Sequence, residues 1–197
     1  MADYDEAIRV DPTYALAYNN RGDAWLNKGD LDHALADFDL AIKYDPKLAT
    51  AYGNRGFVYF RKRDTDHAIA DYTTEIELQP NALAYINRGN VYRDIKQLDR
   101  AAADYGEAAR IAPTDPRGWR NRGLIRLYQD DAKGGVADYD KALQYDPSDA
   151  YSWSNRGLAK MQLGDKQGAA ADFRKALELH PDLQTAQEAL ARIGASR

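Results

Sequence analysis

The stretch YNNRGDAWL, from Tyr18 to Leu26, places an arginine inside the apolar pattern of a helix. Its central tripeptide, Asn-Arg-Gly, occurs five times, and its glycines are Gly22, Gly56, Gly89, Gly123 and Gly157. Successive glycines are separated by a nearly constant period of about 34 residues. A fixed period of this length is typical of architectures in which each repeat is one supersecondary unit that stacks on the next.

The period carries a fixed framework around each glycine. Aromatic residues lie four residues before it, at Tyr18, Tyr52, Tyr85, Trp119 and Trp153, and sixteen after it, at Phe38, Tyr72, Tyr105, Tyr139 and Phe173. Small residues lie twelve after it, at Ala34, Ala68, Ala101, Gly135 and Ala169, and prolines twenty-four after it, at Pro46, Pro80, Pro113, Pro147 and Pro181. The i, i+4, i+7 spacing of Tyr18, Gly22 and Trp25 predicts a first helix, and a second follows before Asp45-Pro46.

The recurring glycine has a predicted packing role. Glycine inside a helix costs about 1 kcal/mol relative to alanine, so a glycine kept at one position in five helices requires a compensating interaction. We expect the two helices of each repeat to approach closely there. In the turn between the first two predicted helices, Gly29 is expected to adopt the left-handed conformation that ends a helix.

The order aromatic, glycine, aromatic, alanine, aromatic, proline at this period resembles the tetratricopeptide repeat family, of the bacterial type that carries the Asn-Arg-Gly triplet. The resemblance implies an all-α fold, a right-handed superhelical solenoid of antiparallel helix pairs with five full repeats and terminal half-repeats. It divides one domain, 1–197, into a partial repeat at 1–12, repeats at 15–48, 49–81, 82–115, 116–149 and 150–183, and a capping helix at 184–195. The partial repeat contains only a second helix, so we expect the chain to be a fragment of a longer protein.

Two departures from the family pattern lead to further expectations. In the fourth repeat Arg126 replaces the usual aromatic and Gly135 the usual alanine, so we expect looser packing there. The family has leucine before the glycine, whereas this chain has arginine in all five repeats. Each of these arginines is followed at one constant spacing by an aspartate, at Asp37, Asp71, Asp104, Asp138 and Asp172. We favour an ion pair within each repeat over one with the aspartate of the preceding repeat, and hypothesise that the pairs fix helix register.

Composition excludes several function classes. The net charge is −4 with both signs interspersed, which predicts no nucleic-acid binding. No apolar run is long enough for membrane insertion. The chain has no cysteine, and His33 and His67 recur one repeat apart without a third ligand, so we interpret them as exposed residues at helix starts rather than a metal pair. No catalytic motif occurs, and we expect neither an enzyme nor a bound cofactor or metal.

The resemblance also implies a concave groove lined by defined offsets from each glycine. Asparagines occupy one of these offsets in every repeat, at Asn20, Asn54, Asn87, Asn121 and Asn155. Aromatic residues and arginines, which are enriched in binding hot spots, occupy others, at Phe57, Phe60, Tyr128, Tyr151, Arg61, Arg93, Arg117 and Arg120. An amide both donates and accepts hydrogen bonds, so a row of asparagines suits an extended peptide backbone. We predict a protein–protein interaction scaffold that binds a peptide or helix of a partner protein, and the arginines favour an acidic ligand.

Two alternatives remain open. The apolar stripe of the partial repeat at 1–12 favours self-association into a homo-oligomer, which sedimentation would distinguish from a concentration-independent monomer. The chain is also consistent with the targeting domain of a larger, possibly enzymatic protein. Binding of a chaperone C-terminus is not expected, because Asn19, Gly53, Ile86, Arg120 and Ser154 stand where chaperone-tail-binding members carry a clamp lysine.

Overall fold

The computed structural model describes residues 1–195, which form twelve α-helices and no strand. The helices are α1 (Ala2–Val10), α2 (Ala15–Asn27), α3 (Leu31–Tyr44), α4 (Ala49–Arg61), α5 (Thr65–Leu78), α6 (Ala82–Asp94), α7 (Leu98–Ile111), α8 (Pro116–Tyr128), α9 (Ala132–Tyr145), α10 (Ala150–Gln162), α11 (Lys166–Leu179) and α12 (Gln184–Ala195). Short turns join them, and aspartates that accept a backbone hydrogen bond cap the N-termini of α3, α5, α8, α9, α10 and α11.

The chain divides into two compact units, Met1–Ile95 and a second that begins at Lys96. In the first unit α2 pairs with α3 and α4 with α5, while α1 packs on α2 and α6 on α5. In the second unit α8 pairs with α9 and α10 with α11, while α7 packs on α8 and α12 on α11. These pairings of consecutive helices confirm the predicted all-α class built from helical hairpins.

The repeated glycine brings the helices of a hairpin into contact with a buried aromatic ring. A Cβ atom at Gly22 would lie 2.7 Å from Cε1 of Phe38, and one at Gly157 would lie 2.7 Å from Cε1 of Phe173. At Gly56 the corresponding distance, to Cε1 of Tyr72, is 3.2 Å. A Cβ atom would overlap the rings at Gly22 and Gly157 and crowd the ring at Gly56, so glycine permits the close approach, as the sequence predicts.

The turns inside the hairpins share one backbone conformation. Gly29 and Gly164 both have φ of +82°, which confirms the left-handed conformation expected at Gly29. At the equivalent turns Arg63 (φ 66°), Lys96 (φ 60°) and Asp130 (φ 60°) adopt the same conformation although they are not glycines. A side chain makes this region less favourable, but these three turns adopt the conformation without a glycine.

The α8–α9 hairpin is not loosely packed, so the expectation of looser packing in the fourth repeat is wrong. Arg126 takes the place of the missing aromatic, and its Nη1 lies 3.1 Å from the carbonyl oxygen of Gly134 and 2.9 Å from Oδ2 of Asp138. The ring of Tyr139 is fully buried. Gly135 is also buried, and a Cβ atom there would make only ordinary contact with Leu127, at 3.5 Å. A long side chain with a polar tip therefore fills the space that the sequence pattern assigns to an aromatic ring.

The helices at either end differ in how much apolar surface they bury. None of the residues of α1 is fully buried, although Ile8 packs against the cluster of Tyr18 and Ala41, and Val10 is 70% exposed. By contrast, α12 buries Ala186 and Ile193 against α11. The residues on its opposite face are exposed, among them Gln187, Glu188 and Arg192.

One position departs from the small-residue pattern of the second helices. Glu75 in α5 stands where other repeats carry alanines that are at most 1% exposed, namely Ala41, Ala108, Ala142 and Ala176. Its carboxyl group lies over Gly53, where a Cβ atom would be 2.5 Å from Oε2. Oε1 accepts a hydrogen bond from Asn81 at 3.3 Å, but Oε2 is buried without a partner in the described residues. Burial raises the pKa of this carboxyl group.

We expect Glu75→Gln to stabilise the chain at neutral pH by up to about 1 kcal/mol, because an unpartnered buried acceptor favours the neutral form. An acid whose pKa is raised by folding binds its proton more tightly in the folded state. The folded state is therefore favoured below the unfolded pKa of about 4.3 and loses stability as pH rises through the folded value. Urea denaturation at pH 7 and near pH 4 should show the advantage of the variant only at pH 7. Glu77→Gln, an exposed change on the same helix, is the control, and an equal effect of both variants would contradict the assignment.

Candidate functional site

The asparagines of the first unit form a connected network of amides. Asn54 Nδ2 donates to Asn19 Oδ1 at 3.1 Å, and Asn19 Nδ2 donates to Asn20 Oδ1 at 3.3 Å. Asn19 is buried, whereas Asn20 is exposed and Asn54 half-buried. The two bonds orient both outer amides and leave Nδ2 of Asn20 and Oδ1 of Asn54 without a partner in the described residues. The place of Asn19 in this network was not predicted from the sequence, where the residue stood out only as the absence of a lysine.

The aromatic and basic candidates of the first unit differ in their exposure to solvent and in the contacts that they already make. Phe57 is 36% exposed, and the guanidinium of Arg61 lies 5.9 Å from its ring centroid. Arg61 has no carboxylate partner in the described residues. Arg93 donates to Asp94 at 3.1 Å. Phe60 is half-buried, and packs against the core cluster that contains Tyr72 and Val91.

The remaining asparagines are half-buried in different surroundings. Asn87, in the first unit, and Asn121, in the second, make no side-chain hydrogen bond within residues 1–195. Asn155 lies near the hydroxyl of Tyr139, which is buried without a hydrogen-bond partner in the described residues. Burial raises the pKa of the Tyr139 hydroxyl, and the Asn155 amide partly opposes that increase. The amide chain of the first unit therefore has no counterpart in the second.

In the second unit two predicted arginines are already engaged by carboxylates. Arg117 Nη2 lies 2.6 Å from Oδ2 of Asp115, the N-cap residue of α8. Arg120 Nη1 lies 3.2 Å from Oδ2 of Asp149, the N-cap residue of α10. An acidic ligand would have to compete with these aspartates.

The second unit also presents two tyrosines to solvent. Tyr128 is 61% exposed and Tyr151 56% exposed, and the Tyr151 ring lies 6.0 Å from that of His180. In the first unit Leu16 and Leu83, six residues before their glycines like Tyr151, are 44% and 49% exposed. Neither leucine was predicted as a site residue, because only aromatic residues and arginines were considered at the groove offsets, although both leucines share the offset of Tyr151.

The arginines of the Asn-Arg-Gly triplets belong to the scaffold. Arg21, Arg55, Arg122 and Arg156 each donate through Nε and Nη2 to both oxygens of the aspartate 16 residues later, at 2.6–2.8 Å. These four bidentate pairs confirm the predicted partner within the repeat. The hydrogen bond to Asp37 raises the pKa of Arg21. Arg88 and Asp104 belong to different units, and their pairing stays a prediction.

The histidines at equivalent positions contribute to helix capping. His33 Nδ1 lies 2.8 Å from Oδ2 of its N-cap residue Asp30, and the imidazole stacks on Trp25 at 4.7 Å between ring centroids. His67 repeats this arrangement with Asp64 and Tyr59. Within residues 1–195, no three histidine, aspartate or glutamate side chains are grouped as metal ligands would be. None of the helices in that range is long and apolar enough to cross a membrane.

Several solved protein structures superpose on this chain. The structure of YrrB, described as a TPR protein with an unusual peptide-binding site, superposes with a TM-score of 0.82 at 22% identity over 94% of this chain and 96% of that one. MamA from Desulfovibrio magneticus RS-1 superposes with a TM-score of 0.77 at 23% identity, over 86% of this chain and 97% of that one. The first TPR of Spaghetti (RPAP3), bound to the HSP90 peptide SRMEEVD, superposes with a TM-score of 0.58 at 25% identity, over 59% of this chain and 92% of that one.

No curated protein sequence is similar enough to this chain to match it. Three family models do match, each described as Tetratricopeptide repeat, over residues 15–48, 54–116 and 136–194. Together they cover most of the chain and include four of the five framework glycines, Gly22, Gly56, Gly89 and Gly157. The chain belongs to the tetratricopeptide repeat family.

Proposed function

We propose that this chain is a protein-interaction scaffold whose asparagine-bearing surface binds an extended peptide segment of a partner protein. Family membership and the solved relatives, two of which are described as peptide-binding or peptide-bound, support the scaffold role. The interaction with a peptide backbone is the more specific part of the proposal and rests on the side chains of the first unit.

The observation that carries the proposal is the oriented amide chain Asn54–Asn19–Asn20. Internal hydrogen bonds hold the two outer amides, so neither loses much conformational freedom when a ligand binds. Asn20 Nδ2 offers a donor and Asn54 Oδ1 an acceptor. An extended peptide presents carbonyl oxygens and N–H groups that match this pair without requiring a particular side chain.

Apolar side chains beside the amides would contribute sequence preference. Phe57 and Leu16 are partly exposed at groove offsets in the first unit, and either can contact a ligand side chain that points away from the amides. Arg61 is the candidate partner for an acidic ligand residue, since Arg117 and Arg120 already pair with aspartates. The proposed ligand is therefore an extended peptide with an apolar residue and an acidic residue.

A pair of conservative truncations tests the backbone interaction. Asn20→Ala combined with Asn54→Ala should weaken binding of a peptide selected from a random linear library by about tenfold, because two hydrogen bonds of about 0.5–1.5 kcal/mol each are lost. Isothermal titration with the purified chain measures the change. N-methylation of the peptide backbone opposite the amides should have a similar effect.

The control is Asp66→Ala, an exposed change on the second helix of the same hairpin. It should leave the affinity unchanged. Equal affinities of the double variant and the unaltered chain, or a loss of the same size with Asp66→Ala, would contradict the proposal. Self-association through the segment at 1–12 remains an alternative prediction, although Ile8 of that segment already packs against the core.

A further inference from the structure

Three of the arginines in the Asn-Arg-Gly triplets also donate through Nη1, to a partner that was not predicted from the sequence. Besides its bidentate partner, each of three arginines directs Nη1 to an aspartate 16 residues earlier, in the preceding second helix. The Nη1 distances are 2.8 Å from Arg21 to Asp5, 2.7 Å from Arg55 to Asp39, and 2.6 Å from Arg156 to Asp140. The fold therefore contains a recurring carboxylate position beside Nη1, filled from within the chain.

At Arg122 this carboxylate is missing. The residue at the equivalent earlier position is Gly106 in α7, and a Cβ atom there would lie 3.2 Å from Arg122 Nη1. Position 106 thus faces the same donor as the aspartates of the other repeats. Arg122 Nε and Nη2 donate to Asp138 at 2.8 and 2.6 Å, whereas Nη1 has no partner within residues 1–195.

Gly106 and Arg122 line an open pocket of about 800 Å³ in the second unit. Its walls include Ala102 and Ala103 of α7 and Trp119 of α8. The guanidinium of Arg122 lies 5.0 Å from the centroid of the Trp119 ring system. The pocket thus combines an unused cationic donor with apolar walls that suit the carbon chain of an acid.

The carboxylates that line the pocket have their own partners. Glu107 Oε2 accepts from Arg110 Nε at 2.9 Å, and Oδ2 of Asp131 lies 3.6 Å from Arg126 Nε. Arg126 in turn lies 2.9 Å from Oδ2 of Asp138 through Nη1. Nη1 of Arg122 is therefore a donor that these carboxylates do not occupy.

We propose that this pocket binds a carboxylate group supplied from outside the chain, seated over Gly106 and hydrogen-bonded to Arg122 Nη1. The ligand reproduces the interaction that Asp5, Asp39 and Asp140 make in other repeats. Its carboxylate belongs to a small organic acid or to an acidic side chain of a polypeptide. The site contains none of the asparagines, so it stands independently of the proposed peptide-binding surface.

NMR titration of the full chain tests the site, with the Gly106 amide and the Arg122 Nε–Hε group as reporters. The probes are sodium acetate and the capped peptide Ac-Ala-Asp-Ala-NH2, with Ac-Ala-Asn-Ala-NH2 and sodium chloride as controls. Saturable shifts at both reporters are expected with the carboxylate probes and not with the controls. Tighter binding of the Asp peptide than of acetate would assign the site to a polypeptide side chain, and equal binding to a free acid.

Gly106→Asp is the decisive variant, because it supplies the missing carboxylate from within the chain as the other repeats do. It should abolish the saturable shift at Arg122, whereas Gly106→Ala, which adds a Cβ atom without charge, should retain it. The Asp variant should also melt at a higher temperature than Gly106→Asn, which has a similar size and helix propensity but cannot form the additional ion pair. The proposal is overturned if the Asn peptide binds as well as the Asp peptide, or if Gly106→Asp leaves the titration unchanged.

Discussion

Asp138→Ala should destabilise the chain by about 3–5 kcal/mol, the range expected when one member of a buried ion pair is removed. Asp138 is 2% exposed and accepts hydrogen bonds from Arg122 Nε and Nη2. Its Oδ2 also lies 2.9 Å from Arg126 Nη1. Its loss leaves two guanidinium groups without their main partner. Both are partly exposed, so water will compensate in part and the effect should fall toward the lower end of the range.

Chemical denaturation followed by circular dichroism measures this effect, and Asp140→Ala is the matched control. Asp140 lies on the same helix, pairs with Arg156 Nη1 at 2.6 Å, and has a side chain that is 55% exposed. An exposed pair of this kind contributes about 0–1 kcal/mol. If the two variants lose similar stability, burial of the inner pair is not what makes it important, and the interpretation of the arginines as scaffold residues is wrong.

The fold was predictable to the extent that it depends on local periodicity. The i, i+4, i+7 pattern of Tyr18, Gly22 and Trp25 identifies a helix face, and the spacing to Phe38 correctly predicts the ring that packs on the glycine. The pattern failed at Arg126 because a motif position records a usual side-chain type rather than the volume to be filled. A long arginine filled that volume and satisfied its charge through Asp138.

Contacts between successive repeats were harder to predict than contacts within one. The later aspartate of the same repeat was expected as the partner of each triplet arginine, but the second carboxylate, such as Asp39 for Arg55, was not. Its position depends on how one hairpin stacks on the next, which a period does not specify. The aspartate of the preceding repeat was the alternative partner, but in the structure it forms the bidentate pair with its own arginine, as Asp37 does with Arg21.

In the candidate site, too, some features were predictable from the repeat pattern and others were not. Exposure of Phe57, Tyr128 and Tyr151 followed from their offsets. That Arg117 and Arg120 already pair with Asp115 and Asp149 did not, because those aspartates lie at helix N-caps outside the repeat framework. The network through Asn19 was also hidden, since it joins residues 35 positions apart on neighbouring hairpins.

Two glycine-to-alanine substitutions in adjacent helices should change stability in opposite directions. Gly118→Ala in α8 should destabilise by about 1–3 kcal/mol, because its Cβ atom would lie 2.8 Å from the backbone nitrogen and 3.1 Å from Cα of Ala109. Backbone atoms of a packed helix cannot rotate away, so α7 and α8 must separate. This cost exceeds the roughly 1 kcal/mol by which alanine is the better helix former.

Gly106→Ala in α7 is the matched control, because it has the same gain in helix propensity without a backbone clash. The nearest atom to its Cβ would be Arg122 Nη1 at 3.2 Å, the end of a flexible side chain that can shift by a few tenths of an ångström. We therefore expect a stabilisation of about 0.5–1 kcal/mol. Urea denaturation of both variants measures the difference. Stabilisation by Gly118→Ala would mean that α7 and α8 can move apart at little cost, and that the small residues at Gly118 and Ala109 do not determine how closely these helices pack.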